Sequence, residues 1–352
     1  MKTLITGATG FIGNRLVRKL AAQSDHHIRC LVRPSSQTEK LKDLDVELVQ
    51  GDLLEADGLQ KAVADCDIIY HLAANAHPSS VIPYRVYQRC NVDGTNNLLK
   101  AAATVPGLQK VVVMSSIAAT GPSRDGKPLD EKSLRLPITN YGRSKMAVED
   151  LCQQFSKEQN LPVVVIRPSM VYGIGDTDWL EFFHMIKTGG IAGMGVPIPG
   201  KKENLFDFCY VDNLVDGVIL AANAAQSSGK TYFISDERSY QIKEIIQAVA
   251  DASQVPYPGK FWPVWLSKTV ATLLDFVGWV IRQDMPLDRR TICWMTRNYW
   301  ICDIARAQDE LGFRPSVSLA EGVRRTFQWY LDQGLLKSQY IGNEAPLGRN
   351  KK

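Results

Sequence analysis

Residues 6–13 read Thr6-Gly7-Ala8-Thr9-Gly10-Phe11-Ile12-Gly13. They follow a β-rich run at 2–6 and open an apolar-periodic segment at about 12–22. The glycines are spaced GxxGxxG. Gly7 permits a tight turn, Gly10 lets backbone approach a pyrophosphate, and Gly13 lets helix and strand pack closely. The helix N-terminus then offers free N–H groups and a positive dipole end to phosphates. With a strand before and a helix after, the pattern predicts dinucleotide binding by this loop, Thr9, Phe11 and Ile12 included.

Outward from the loop, β-rich runs at 27–33, 46–52, 67–74, 110–116 and 162–169 alternate with helical patterns at about 55–64, 84–104 and 140–158. Runs such as Val111-Val112-Val113-Met114 are apolar at every position, as strands buried on both faces are. The expected fold is α/β: a Rossmann-type doubly wound parallel sheet with a smaller, mostly helical C-terminal substrate lobe. Residues 1–172, rejoined by 206–235, would form the dinucleotide-binding domain. Residues 173–205 and 236–340 would form the lobe, and 341–352 a disordered basic tail. Residues 189–200, rich in Gly and Pro, read as a loop. Asp212 reads as a helix cap, and Ser318 with Glu321 as a capping box.

The chain has 352 residues, 45% hydrophobic and 22% charged, with a net charge of +4. That composition excludes a disordered chain, and the charge is too mild to imply a nucleic-acid partner. The seven cysteines are scattered with no CxxC pair, so a reducing, cytoplasmic setting is expected and no metal site. No signal peptide is expected ahead of the first strand, and no stretch is apolar for long enough to span a membrane.

An acid about 20 residues past the glycine loop would bind the ribose 2′-OH of NAD. None occurs between Asp25 and Glu39; the second strand ends Leu31-Val32-Arg33-Pro34-Ser35-Ser36. Arg33 can pair with a 2′-phosphate, so NADP(H) is favoured, with NAD(H) the alternative.

Tyr141 and Lys145 lie four apart and share a helix face. A nearby ammonium stabilises a phenolate, so Lys145 is expected to lower the Tyr141 pKa and make it a usable proton donor. Ser115 and Ser116 end the fifth strand, at the sheet edge where the cofactor loop lies. A hydroxyl there can hold a carbonyl oxygen beside the phenol.

These motifs, with Gly51-Asp52-Leu53, His71-Leu72-Ala73-Ala74, Asn91-Val92-x-Gly94-Thr95, Arg167-Pro168-Ser169-x-Val171-Tyr172-Gly173 and Tyr210-Val211-Asp212-Asn213, resemble those of an extended short-chain dehydrogenase/reductase of the epimerase/dehydratase superfamily. The resemblance implies a catalytic set of Ser116, Tyr141 and Lys145. It places Asp52 and Leu53 at the adenine, Ala73 and Ala74 along the cofactor channel, and Pro168, Ser169 and Met170 beside the nicotinamide. Asn91 would support the relay helix and Lys145 would bind the nicotinamide ribose. A homodimer through the 84–104 and 140–158 helices is implied as well.

Sugar dehydratases of this family carry an Asp-Glu pair after the catalytic hydroxyl, where Ile117-Ala118 stands here. Ser115 to Pro122 instead resembles the 3β-hydroxysteroid dehydrogenase and dihydroflavonol reductase branch. The expected activity is carbonyl–alcohol interconversion on a small hydrophobic substrate that is steroid-, β-keto acid- or flavonoid-like. A nucleotide-sugar epimerase and a non-catalytic dinucleotide sensor are the rivals. The apolar segment 261–282, with Leu266, Val270, Leu273, Leu274, Val277 and Ile281 at helical spacing, can pack as lobe core, line a pocket or rest peripherally on a membrane. Trp179, Phe182, Phe183 and Met185 read as core or as pocket lining.

Overall fold

The computed structural model describes residues 1–23, 27–76, 82–189, 196–199, 204–281 and 299–336. The apolar runs of the first half become strands: β1 (Lys2–Thr6), β2 (His27–Val32), β3 (Glu47–Gln50), β4 (Ile68–His71), β5 (Lys110–Met114) and β6 (Val163–Pro168). Between them lie helices α1 (Phe11–Ala21), α2 (Ala56–Val63), α3 (Tyr84–Tyr87), α4 (Gly94–Ala102) and α5 (Asn140–Glu158). Every residue of β4, β5 and β6 is buried. Alternate side chains enter different cores: Val112 packs with α1 and the C-terminal half, Val111 and Val113 with α2, α4 and α5. Burial on both faces is what removes any polar alternation from these strands.

The C-terminal half contributes β7 (Met170–Tyr172), α6 (Leu180–Lys187), β8 (Val196–Pro199), β9 (Leu205–Phe206), β10 (Phe208–Tyr210), α7 (Val211–Asn223) and β11 (Thr231–Ile234). Then come β12 (Tyr240–Gln241), α8 (Ile242–Ser253), β13 (Gly259–Trp262), α9 (Val264–Ile281), β14 (Tyr299–Trp300), α10 (Ala305–Leu311) and α11 (Leu319–Asp332). The main sheet runs β11-β6-β5-β4-β1-β2-β3, parallel throughout. The chain reverses direction across the sheet between β1 and β4, and the crevice beyond their C-terminal ends is where ligands bind in such folds.

Several local expectations need correction. Asp212 does not cap α7; it lies in the first turn, where its carboxylate binds Arg15 of α1 at 2.6 Å. Ser318 caps α11, but Glu321 spends its carboxylate on Arg324 and Arg325, so that capping box is half made. The complete box is Gln241 with Glu244 at the start of α8. Within 189–200, Val196–Pro199 is a strand paired with Gly259–Trp262. Helix α9 buries Ala271 against Met185 and Leu274, while Trp265 is 70% exposed, Leu273 61% and Phe276 62%. Leu273 therefore leaves the inward stripe its spacing suggested. No described helix is long and apolar enough to cross a membrane. Phe183 is buried against Tyr330, and Trp179 stacks on Phe208 as core. Residues 190–195 and 200 of the loop and the 341–352 tail lie outside the described residues.

Candidate active site

Strand β1 delivers the glycine turn to the sheet edge. Gly7 has φ +76°, and a Cβ there would sit 2.7 Å from the Ala73 amide nitrogen. A Cβ on Gly13 would fall on the Gly7 carbonyl oxygen. Gly10 occupies the α1 N-cap with no side-chain cap, and the first turn, Phe11 and Ile12 included, carries no acid. A bare turn closing on an uncapped helix N-terminus fits the pyrophosphate of a dinucleotide. Thr9 is half-buried in this turn.

Arg33 is exposed just past β2, and Ser36 turns back to accept its backbone N–H at 3.0 Å. Gly51 bonds the Val32 carbonyl, so the start of the Asp52 turn lies at the same strand end. The Asp52 carboxylate accepts the Leu54 N–H at 2.9 Å, and the Leu53 carbonyl accepts from Asn97. Leu53 also packs at Gly94, where an added Cβ would sit 3.1 Å from the Leu53 Cβ, tighter than ordinary contact.

The end of β5 divides its two serines. Ser115 donates to Glu149 at 2.5 Å, and Glu149 holds Arg167 through two bonds of 2.8 and 2.7 Å, all buried. Ser116 faces the other way, accepts the Ala118 N–H and lies close enough to the Tyr141 phenol to favour its charged form. Helix α5 starts beside it because Thr139 caps the Gly142 N–H at 2.9 Å and Gly142 lies against the Ala118 carbonyl. Lys145, one turn on, is buried, donates to the Met114 carbonyl at 2.7 Å and lies 5.9 Å from the Tyr141 ring centre.

Burial dominates the electrostatics here. It pushes the Tyr141 phenol up to about 12, with the Ser116 hydroxyl pulling the other way and Tyr87 adding to the rise. It brings the Lys145 ammonium down to about 8, against the charge of Glu149. The expected lowering of Tyr141 by Lys145 is thus overturned for the protein alone: burial raises the phenol, and the ammonium is spent on a carbonyl.

Between α3 and α4 lies a π-helical segment, Gln88–Asp93. Its Asn91 is buried; the side-chain oxygen accepts the Asn75 N–H at 2.7 Å, and the amide donates to the Asn75 carbonyl and the Ser144 hydroxyl. Asn91 thereby joins the segment after Ala73 and Ala74 to helix α5. Pro168 ends β6; the Ser169 hydroxyl is engaged with Ser235 at 2.8 Å, and Met170 packs half-buried on the core. So the structure gathers the glycine turn, Ser116, Tyr141, Lys145, Ala73 and Asn91 at one sheet edge, with Arg33 and Asp52 at the neighbouring strand ends. The Ser169 hydroxyl is turned into the protein. Thr6, His71 and Thr95 were given no role from the sequence, although polar side chains inside apolar strands and helices are a signal.

A family model described as the NAD dependent epimerase/dehydratase family matches residues 3–235. The chain is 27% identical to a UDP-glucose 4-epimerase of Vibrio cholerae over 334 residues, covering 93% of this chain and 95% of that one. It is 28% identical to a putative dihydroflavonol 4-reductase of Synechocystis sp., covering 95% and 96%. The crystal structure of gox2253 superposes with a TM-score of 0.78 at 27% identity, over 95% of this chain and 99% of that one.

Proposed function

The chain belongs to the NAD-dependent epimerase/dehydratase family of NAD(P)-dependent enzymes, and from that premise we propose that it is an NADP(H)-dependent reductase or dehydrogenase. Its substrate would be a hydrophobic ketone or secondary alcohol. The observation that carries this is the Ser116 hydroxyl beside the Tyr141 phenol, with buried Lys145 one turn on, at the edge that also holds the glycine turn.

The glycine turn and the α1 N-terminus hold the pyrophosphate, Asp52 and Leu53 the adenine end, and Arg33 the 2′-phosphate. The nicotinamide, when bound, exchanges a hydride with the substrate carbon. Ser116 and Tyr141 together hold the substrate oxygen. Tyr141 gives it a proton in the reductive direction and takes one in the oxidative direction. The Lys145 ammonium steadies the charge that develops on the phenolate and turns to the ribose hydroxyls. Ile117 and Ala118 offer no acid–base pair for elimination of water, which disfavours a dehydratase.

The reading is tested by a panel of steroid-like, β-keto and flavonoid-like ketones with NADPH, run beside UDP-sugars with NAD. NADPH consumption with a hydrophobic ketone supports it. The full-length similarity to a UDP-glucose 4-epimerase favours epimerisation as the second reading, and UDP-sugar turnover without net cofactor consumption would establish that instead.

A further inference from the structure

Thr6 ends β1 and His71 ends β4, and the two are register partners across the point where the chain reverses direction. Both are buried. The Thr6 hydroxyl lies 2.8 Å from His71 Nδ1, and His71 Nε2 lies 2.8 Å from the Thr95 hydroxyl. The Thr95 hydroxyl is 2.5 Å from the Asn91 carbonyl, and the Ala73 N–H points at the Thr6 oxygen at 3.2 Å.

For a neutral ring these contacts fix the direction of every proton. A carbonyl only accepts, so the Thr95 hydroxyl donates to Asn91. Its oxygen must then accept from His71, which places the ring proton on Nε2. Nδ1 is left as an acceptor for the Thr6 hydroxyl, whose oxygen takes the Ala73 N–H. The run continues through the Asn91 side chain to Ser144 and from Ser144 to the Tyr141 carbonyl at 2.7 Å.

We propose that His71 is a positioning residue, held by Thr6 and Thr95 as a neutral Nε2–H imidazole that ties the cofactor turn to the relay helix and fixes the orientation of the ring dipole near Lys145. Burial, and then the Lys145 charge, bring the imidazole down to about 3, which agrees with a ring that stays neutral. Among the described residues, Lys145 touches the Met114 carbonyl and the Tyr141 ring, and its charge interacts with Cys152, Glu149 and this imidazole. Moving the ring proton from Nε2 to Nδ1 reverses the dipole among them. The proposal rests on Lys145 being part of the relay, but its test needs no substrate, so a failed ketone screen leaves it standing.

The test is nitrogen-15 NMR of the full chain, with the His71 signals assigned by His71→Gln and the Lys145 signal by Lys145→Met. In the wild type at neutral pH the proton is expected on Nε2. A proton on Nδ1, or a charged ring, overturns the proposal without any variant having to fold. Thr95→Val keeps the shape and removes the acceptor; it should relocate the ring proton and move the Lys145 titration midpoint by about half a pH unit or more. Thr95→Ser should restore both. A relocated proton with an unmoved Lys145 midpoint would leave His71 a purely structural residue and overturn its positioning role.

Discussion

The Lys145 ammonium donates to the Met114 carbonyl at 2.7 Å, so the relay helix is pinned to the strand end that presents Ser116. Burial holds that ammonium near 8, below the ordinary lysine value of 10.5. Between those values the unfolded chain binds more protons than the folded one, so this residue makes stability rise with pH across that window. Wild type should therefore gain melting temperature relative to Lys145→Met between pH 8 and pH 10. Activity should run the other way, because the charged form is the useful one: kcat/KM falls above a pH of about 8. Thermal melts and a pH–rate profile check the two halves.

The Gly13 position has no space for a side chain. Gly13→Ala would drive its Cβ onto the Gly7 carbonyl and force the turn and α1 apart. Overpacking of this kind costs about 1–3 kcal/mol. The expected result is a lower melting temperature and cofactor binding weakened at least tenfold (about 1.4 kcal/mol), read by calorimetry.

Arg33 is exposed just past the C-terminal end of β2, and the proposed function sets it against a 2′-phosphate. A hydrogen bond to a charged group contributes about 1.5–3 kcal/mol. Arg33→Ala should weaken NADPH binding by roughly ten- to a hundredfold and leave NADH binding nearly unchanged. Titrations of both cofactors against both proteins decide it.

Asp176 is buried, one carboxylate oxygen accepting the Asp178 N–H at 2.8 Å and the other without a hydrogen-bond partner among the described residues. Burial pushes it up to about 7. A raised acid stabilises the fold fully only below its unfolded value near 3.8 and loses that contribution as pH rises through 7. Asp176→Asn should flatten this slope and be the more stable protein at pH 8, by chemical denaturation at pH 5 and pH 8.

The sheet was legible in the sequence because double-sided burial writes itself as unbroken apolar runs, as in Val111–Met114. The Tyr141–Lys145 pairing was legible because the two sit one turn apart on a helix whose start is set by a local cap at Thr139. What was not legible depends on partners distant in the chain. Asp212 has the chemistry of a cap, but Arg15, 197 residues away, claims its carboxylate. Ser123 and Leu129, in the stretch between β5 and α5, are hydrogen-bonded to Tyr299 and Ile301, partners no local pattern announces. The Tyr141 environment was misjudged for the same reason: an i, i+4 lysine is visible in sequence, whereas the desolvation that outweighs it comes from packing.

The central claim is that Tyr141 protonates a substrate oxygen while the bound cofactor supplies hydride. It is tested most directly with NADPH deuterated at C4 and the best ketone of the panel, comparing wild type with Tyr141→Phe. Wild type should place deuterium on the carbinol carbon of the product. The variant should bind NADPH as before and turn over about 10²–10⁴-fold more slowly. Unimpaired deuterium transfer by Tyr141→Phe, or no transfer to any ketone while a UDP-sugar is epimerised, would contradict it.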